Sequence, residues 1–447
     1  MIINKEFVFL KEEQWINKNS VDISKEFLSK IENNKIKIIE INKNIIKFTF
    51  VGVISFKDEI VIVLPKYFDL NYYTELECIL KLVKVFKKIP KSVIKQNKEE
   101  LLLLDSEENY SEISICDYLI KDYIENDYYI RSNVVTKLNN NTGILDWKKT
   151  INELNPVFSN GYPIYCDCYY KHINNNEDYF ITQIHQAVVE YAIAKYSYIL
   201  GYKLGKINYD KAKKNLNNLG NSDEIIYAIE MELETSFNDR NINLFKALLI
   251  FFKKMQSNEN NDLSLYGTTN FNLIWEYLCG YLFKNEYNIL SKEISPILWK
   301  SKNGKYVIND SNALKPDILK RYENDLLILD AKYYSIKLLD DSVSGNPGSY
   351  DIVKQLSYSL AFEDRGYRNI ISCLLYPKET GKLFDIFGSV NLDFFKQNQI
   401  VNIYISPSLI IDRYIYNSKL SEKEIKKFIL DNIKFINEEN EVAKKSN

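Results

Sequence analysis

Two apolar runs near the C-terminal end constrain this chain more than any other feature. Lys315-Pro316-Asp317-Ile318-Leu319 is followed by the polar break Tyr322-Glu323-Asn324-Asp325, then by Leu326-Leu327-Ile328-Leu329-Asp330-Ala331-Lys332-Tyr333-Tyr334. The runs read as strands, the second as a buried central one, and the break suits a tight hairpin turn. Residues at i and i+2 share a strand face, so Asp330 and Lys332 point one way. Leu327, Leu329 and Ala331 point the other way, into a core. If the turn centres on Asn324 and Asp325, Asp317 lies across from Lys332. Centred one residue earlier, it faces Ala331 and the wrong side. The functional reading requires the first register.

In that register Asp317 and Asp330 can share one or two hard cations, and magnesium prefers such carboxylate oxygens while keeping several waters. A metal there would polarise a phosphate and lower the pKa of a bound water. Lys332 would orient that water or offset charge in the transition state, and the carbonyl of Ala331 could add a ligand. This is the equipment of a magnesium-dependent phosphodiester hydrolase. The local spelling alone is weak, because half-exposed strands often end in charges. Leu145-Asp146-Trp147-Lys148 has the same form with no Pro-Asp hairpin before it. Asp317, the Leu-rich run and the order of the flanking elements separate the two cases.

Phe271 to Phe283 reads as a largely buried helix carrying one acid, Glu276. Ile294 to Trp299 and Lys305 to Ile308 read as strands, and the Asp317 and Asp330 strands follow. Ile352 to Phe362 has Ile352, Leu356 and Leu360 at helical spacing, with Lys354, Gln355 and Tyr358 on its other side. Asn369 to Tyr376 is a further buried strand before Pro377. This order resembles the core of the PD-(D/E)xK nuclease superfamily. Within it the chain is similar to the LlaJI family of restriction endonucleases, relatives of McrC. The likeness is carried by Phe50-Val51-Gly52-Val53-Ile54-Ser55-Phe56, Leu64-Pro65-Lys66-Tyr67-Phe68, Asp146-Trp147-Lys148-Lys149-Thr150-Ile151, Ile181-Thr182-Gln183-Ile184-His185 and the Lys-Pro-Asp and Leu-Asp-Ala-Lys-Tyr-Tyr pair.

The resemblance implies a catalytic set of Asp317, Asp330 and Lys332, with Mg²⁺ as cofactor and double-stranded DNA as substrate, cut to leave 5′-phosphate ends. Glu276 matches an acid sometimes supplied by the preceding helix, as a further metal ligand. Gln355 matches a polar position on the following one. The resemblance also implies an McrB-like AAA+ GTPase partner in an oligomeric complex, with the N-terminal region as its docking part. Two alternatives remain open: a silent nuclease fold that regulates or scaffolds, and a nuclease of repair or transposition.

A chain of 447 residues is too long for one ordinary core. With only 14 Gly and 9 Pro, regular structure dominates. The 34 Tyr accompany abundant Asn, Ile and Lys, a compositional drift rather than a base-stacking surface. A net charge of −2 puts any phosphate-binding groove in a local patch, or leaves the grip on DNA to a partner. No run of apolar residues is long enough for a membrane span, Met1 to Glu6 lacks a signal-peptide pattern, and the cysteines show no disulfide framework, which suits a reducing cytoplasm.

The expected architecture is a multidomain α+β chain. Residues 1–110 form an N-terminal mixed β/α region, with runs at Lys35 to Ile41, Ile46 to Phe56 and Glu59 to Leu64 making a small antiparallel sheet. Tyr73 to Lys88 follows as a helix striped by Leu76, Leu80, Val83 and Phe86. Residues 111–260 form a helical middle, with helical character over 112–137, 180–203 and 223–256, and Gln256 to Asp262 is the linker after it. Residues 261–415 form the nuclease domain with its restriction-endonuclease-like α/β core, and 416–447 a charged helical tail. After Pro407 a short run reads as a strand, and Ser421 to Glu438 as a helix. Lys337 to Tyr350 has loop composition. The seven lysines from Lys81 to Lys98, with no acid among them, read as a solvated helix end. Cys166, Cys168, His172 and His185 match no common zinc module, and Gly201 to Ile207 lacks phosphate-loop spacing.

Overall fold

The computed structural model describes residues 7–33, 37–68, 74–90, 93, 111–139, 143–176, 178–257, 263–294, 297–309, 314–334, 336–339, 342–392 and 399–446. The chain divides into two compact units, residues 1–104 with 263–447, and residues 105–262. Residues assigned from sequence to the N-terminal and nuclease regions thus fall in one unit. Of the expected linker, residues 258–262 lie outside the described residues, as do Lys91, Lys95, Lys98 and residues 1–6.

In the first unit, a four-stranded sheet runs in the order Val8–Lys11, Glu59–Leu64, Val51–Phe56, Leu263–Thr268. Its first pair is parallel and the other two are antiparallel. The expected single run Ile46 to Phe56 is two strands: Ile45–Phe48 belongs to a separate three-stranded sheet with Trp15–Asn17 and Ile39–Asn42. The split lets Phe48 and Phe50 both enter one core with Phe27, Ile31, Ile54, Phe56 and Val63. Gly52 pairs with Gly267 across two strands far apart in sequence. A Cβ on Gly52 would lie 2.2 Å from the Tyr266 carbonyl oxygen, so only glycine permits this approach. The helix Glu75–Lys88 opens with a Thr74–Glu77 capping box and buries Ile79, Leu82, Val83 and Phe86. Leu76 and Leu80, expected on its buried stripe, are half-buried at its margin. Lys81 and Lys88 turn back onto the helix Pro407–Ile415, at 2.7 Å from Asp412 Oδ2 and 3.1 Å from the Ile415 carbonyl oxygen.

The same unit holds a mixed five-stranded sheet in the order Ile318–Tyr322, Asp325–Ala331, Asn369–Pro377, Ile400–Ile405, Phe384–Val390. The three middle strands are parallel. Both faces are covered, as parallel strands require. Leu326 and Ile328 pack with Leu319, Tyr358 and Phe362, and Leu327 and Leu329 on the opposite face are equally buried. Helix Phe271–Leu282 matches expectation, and helix Ser349–Leu360 starts earlier than Ile352. Strands Ile297–Lys300 and Tyr306–Asn309 form their own ribbon outside the sheet. The run after Pro407 is helical, not a strand. Ser406 caps it, accepting the Leu409 N–H at 3.4 Å, and Pro407 fits the first turn. The chain ends in helix Glu422–Ser446.

The second unit contains helices Glu112–Asn126, Phe180–Leu200, Tyr209–Asn217, Ser222–Glu234 and Asp239–Ser257. It also contains strand, which corrects the helical reading of 112–137. Arg131–Leu138 pairs with Tyr169–Asn176, and its Val-Val-Thr content explains the switch. Among the described residues no helix is long and apolar enough to cross a membrane.

Candidate functional site

The hairpin register differs from the one the functional reading required. Ile318 pairs with Leu329 and Tyr322 with Asp325, so only Glu323 and Asn324 form the turn. Glu323 takes the left-handed conformation (φ 51°). Asp325 is the first strand residue, fixed by Arg368 Nη2 at 2.6 Å and by Asn369 Nδ2 at 2.8 Å. A turn one residue earlier moves the cross-strand partner by two, so this register, continued one step, sets Asp317 opposite Asp330, neither Lys332 nor the Ala331 expected for an earlier turn. Directly opposed residues share a face, so the two acids converge all the same.

Asp317 sits just before its strand and is held from three sides. Asn285 Nδ2 donates to its carbonyl oxygen at 2.8 Å, and Asn285 Oδ1 accepts the Leu319 N–H at 3.0 Å. Tyr358 OH donates to the Lys315 carbonyl at 2.7 Å, tying helix Ser349–Leu360 to the Lys-Pro-Asp segment. The Ala331 N–H donates to Asp317 Oδ2 at 3.0 Å, joining the acid to the end of the Asp330 strand. Burial, then the charges of Asp330 and Glu276, push the Asp317 carboxyl up to about 7. Glu276 is likewise raised, by burial and then by Asp330. These mutual effects bring Glu276, Asp317 and Asp330 into one electrostatic cluster.

Asp330 is 3% exposed and Lys332 9%. Lys332 Nζ lies 2.8 Å from Asp330 Oδ2 and 2.8 Å from Asp351 Oδ1. Burial pulls the ammonium pKa down, but the two carboxylates more than offset it and the net shift is upward. Asp330 Oδ2, though close to the lysine, receives no well-aligned hydrogen bond. Lys354 also feels this cluster: burial lowers it, but Tyr358, Asp330 and Asp317 raise it overall.

Gln355 meets the Asp330 strand two residues before Asp330, at Ile328. Its Nε2 donates to the Ile328 carbonyl at 2.9 Å and to Ser372 Oγ at 3.0 Å, and the residue is 1% exposed. It fastens the helix to the sheet from inside. Asp351 was not singled out in the sequence, although an acid in a helix first turn after Pro347-Gly348 is a visible signal. Asn285 and the Tyr333 hydroxyl, which donates to Glu12 Oε2 at 2.7 Å, were also missed. Their partners are remote in sequence.

The site suits a hard divalent cation. Three carboxylates influence one another, two have raised pKa values, and Lys332, shared between Asp330 and Asp351, does not neutralise them all. Among the described residues no three His, Cys, Asp or Glu side chains stand close enough to cage an ion alone. Two carboxylates, a backbone carbonyl and waters would complete the oxygen shell that magnesium takes. In the second unit, His185 is buried instead with its Nδ1 accepting the Tyr129 N–H at 2.9 Å.

The model of the LlaJI restriction endonuclease family matches residues 50–408. The Type II restriction enzyme BsuMI component YdjA of Bacillus subtilis (strain 168) is 33% identical over 399 residues, which cover 86% of this chain and 83% of that protein. Among solved structures, the refined half-complex from the tetradecameric assembly of Thermococcus gammatolerans McrB AAA+ hexamers with bound McrC gives a TM-score of 0.41 at 15% identity, covering 95% of this chain and 100% of that one. The cryo-EM structure of the Thermococcus gammatolerans McrBC complex gives 0.24 at 13% identity, over 56% of this chain and 80% of that one. A family match across most of the length, with a relative sharing a third of the aligned residues, settles the kinship: the chain belongs to the LlaJI restriction endonuclease family.

Proposed function

We propose that the chain is the DNA-cutting subunit of a bacterial restriction system, hydrolysing phosphodiester bonds of double-stranded DNA with Mg²⁺ in the cytoplasm. The observation that carries this reading is the meeting of Asp317, Asp330 and Lys332 at one end of the central sheet. Asp317, Asp330 and the Ala331 carbonyl would hold the ion, with Glu276 close enough to bind one of its waters. When bound, magnesium supplies Lewis acidity toward the scissile phosphate and lowers the pKa of an attached water.

The rest of the chemistry falls to this chain's own groups. Lys332, gripped by two carboxylates, stays protonated and serves as a donor rather than a base. It orients the attacking water and balances charge building on the phosphate oxygens. Asp351 aims the ammonium. Lys354 adds positive charge on the same side. Asn285 and Tyr358 fix the backbone around Asp317, so the two acids keep their spacing as charge redistributes.

YdjA is described as a component of its restriction enzyme, and we extend that arrangement here: a separate AAA+ GTPase supplies motor action, docking on the region of residues 1–110. The net charge of −2 supports leaving part of the grip on DNA to a partner. Duplex cleavage in Mg²⁺ with partner and nucleotide, wild type against Asp330→Ala, tests the reading. The variant should fold, bind its partner and not cut. Cleavage at the wild-type rate would end the assignment.

A further inference from the structure

A cavity of about 420 Å³ opens beside the acid cluster, along the exposed side of helix Phe271–Leu282. Glu276 and Asp317 line one end, and Lys284 and Lys419 lie along it. Tyr277 and Tyr281, one helical turn apart, form a wall. Both rings are braced by Tyr414, edge-on at 5.9 Å and 4.9 Å. Lys419 Nζ rests 4.7 Å over the Tyr281 ring, and Lys284 Nζ lies 3.2 Å from the exposed Glu422. The floor is Gly280, where an added Cβ would meet nothing nearer than 3.6 Å.

We infer that this cavity is a subsite for one nucleotide unit of the strand being cut. The inference rests on the nuclease reading above and deepens it. The volume falls within the usual range of small-molecule pockets, about 300–1,000 Å³, and cannot admit a double helix. Its two kinds of end match a phosphodiester strand. The scissile phosphate would lie beside the acid cluster, where Asp317 and Asp330 would hold the ion, and the neighbouring phosphate meets Lys284 and Lys419, displacing Glu422. Pre-braced tyrosine rings give the sugar and base a flat, sequence-tolerant contact. The strand therefore leaves the cutting site unpaired for one nucleotide, and the subsite reads backbone and ring rather than base identity.

Fluorescence anisotropy of the full chain tests this, using a labelled DNA duplex with a single-stranded overhang and Ca²⁺ in place of Mg²⁺, so that the acid cluster has a divalent ion while cutting is suppressed. Lys284→Ala with Lys419→Ala should weaken binding at least about tenfold and flatten the log Kd against log salt slope by about 0.7–0.9, one phosphate's share. Lys419→Arg should keep most of the slope. Gly280→Leu, which projects into the cavity, should weaken binding by about tenfold, while Gly280→Ala should not. The paired lysine variant stays informative if Gly280→Leu fails to fold, since both lysines lie at the surface. An unchanged slope in the lysine variant, while wild type still cuts DNA and Asp330→Ala does not, overturns the subsite and spares the nuclease. Absence of cutting by wild type with its partner overturns the nuclease reading itself.

Discussion

Asp146-Trp147-Lys148 and Asp330-Ala331-Lys332 share a spelling and little else. Asp146 caps the helix Trp147–Glu153, its Oδ1 accepting the Lys149 N–H at 3.1 Å, with Lys171 Nζ 3.4 Å from Oδ2. That N–H, more than any other group, holds its carboxyl below the ordinary aspartate value. Lys148, one residue into the helix, is exposed. Asp330 sits in a buried strand, crowded by two other acids, with Lys332 Nζ 2.8 Å from its Oδ2. The first aspartate answers to a backbone N–H and a half-exposed lysine, whereas the second shares its one ammonium with Asp351. A buried surplus of carboxylate, three acids and Asp351 around one ammonium, is what makes the second spelling chemical.

The largest effect should come from setting the two aspartates against each other. Asp330→Asn should lower cleavage by about 10²–10³-fold or more, whereas Asp146→Asn, which keeps a good cap, should stay within about twofold. Equal losses in both would mean that the contrast drawn above is empty. Next is Asp351→Asn, which releases Lys332 from one of its two anchors. We expect kcat to fall about tenfold with KM little changed, and Asp351→Glu to recover part of it. A change in KM alone would assign Asp351 to binding instead.

The contrast extends to pH. Asp317 has a folded pKa of about 7 against an unfolded value near 3.8, so the folded state holds its proton more tightly. The stability it contributes is complete below about pH 4 and is lost as pH rises through 7. Asp317→Asn should therefore raise the melting temperature in EDTA at pH 8, by on the order of 2 kcal/mol in stability, while removing activity. Mg²⁺ should erase the gain. His185, in the other unit, behaves oppositely. Burial lowers its pKa from 6.5 to about 4, so its contribution is complete above about pH 6.5 and is lost as pH falls through 4. Melting curves of the Asp317→Asn and His185→Gln variants should diverge from wild type at opposite ends of the pH range. Deviations at the same end would refute both assignments.

Much of the site was legible because its parts are local. The alternation Asp330-x-Lys332, the buried Leu-rich strand and the helix around Glu276 can each be read within a dozen residues. The register was not, because Asp325 could serve a turn or a strand. Arg368 and Asn369, more than forty residues on, decide for the strand. The N-terminal sheet hid for the same reason. Its fourth strand, Leu263–Thr268, returns after the whole second unit, and only the Gly52–Gly267 approach hints at the pairing. Gln355 entered through the resemblance alone, and its Nε2 donates to the Ile328 carbonyl of the Asp330 strand, a link that no local pattern shows.

The smallest effect should lie where the segment after the Asp330 strand meets the N-terminal sheet. Tyr333, directly after Lys332, donates to buried Glu12 and accepts from Tyr67 OH at 3.2 Å through its carbonyl. Burial raises the Glu12 carboxyl despite that hydrogen bond. The counterpart after Lys148 is Lys149, whose ammonium donates to Thr136 Oγ1 at 2.7 Å, a tether at a half-buried position rather than in a core. Tyr333→Phe deletes one hydrogen bond and leaves the ring against Tyr67, so stability should drop by about 1 kcal/mol, with somewhat more if Glu12 stays charged. Because the backbone bond to Tyr67 survives, cleavage should change less than threefold, by about the same modest term. A Tyr333→Phe variant that melts normally but cuts poorly would relocate Tyr333 from scaffold to machinery, and the N-terminal sheet with it.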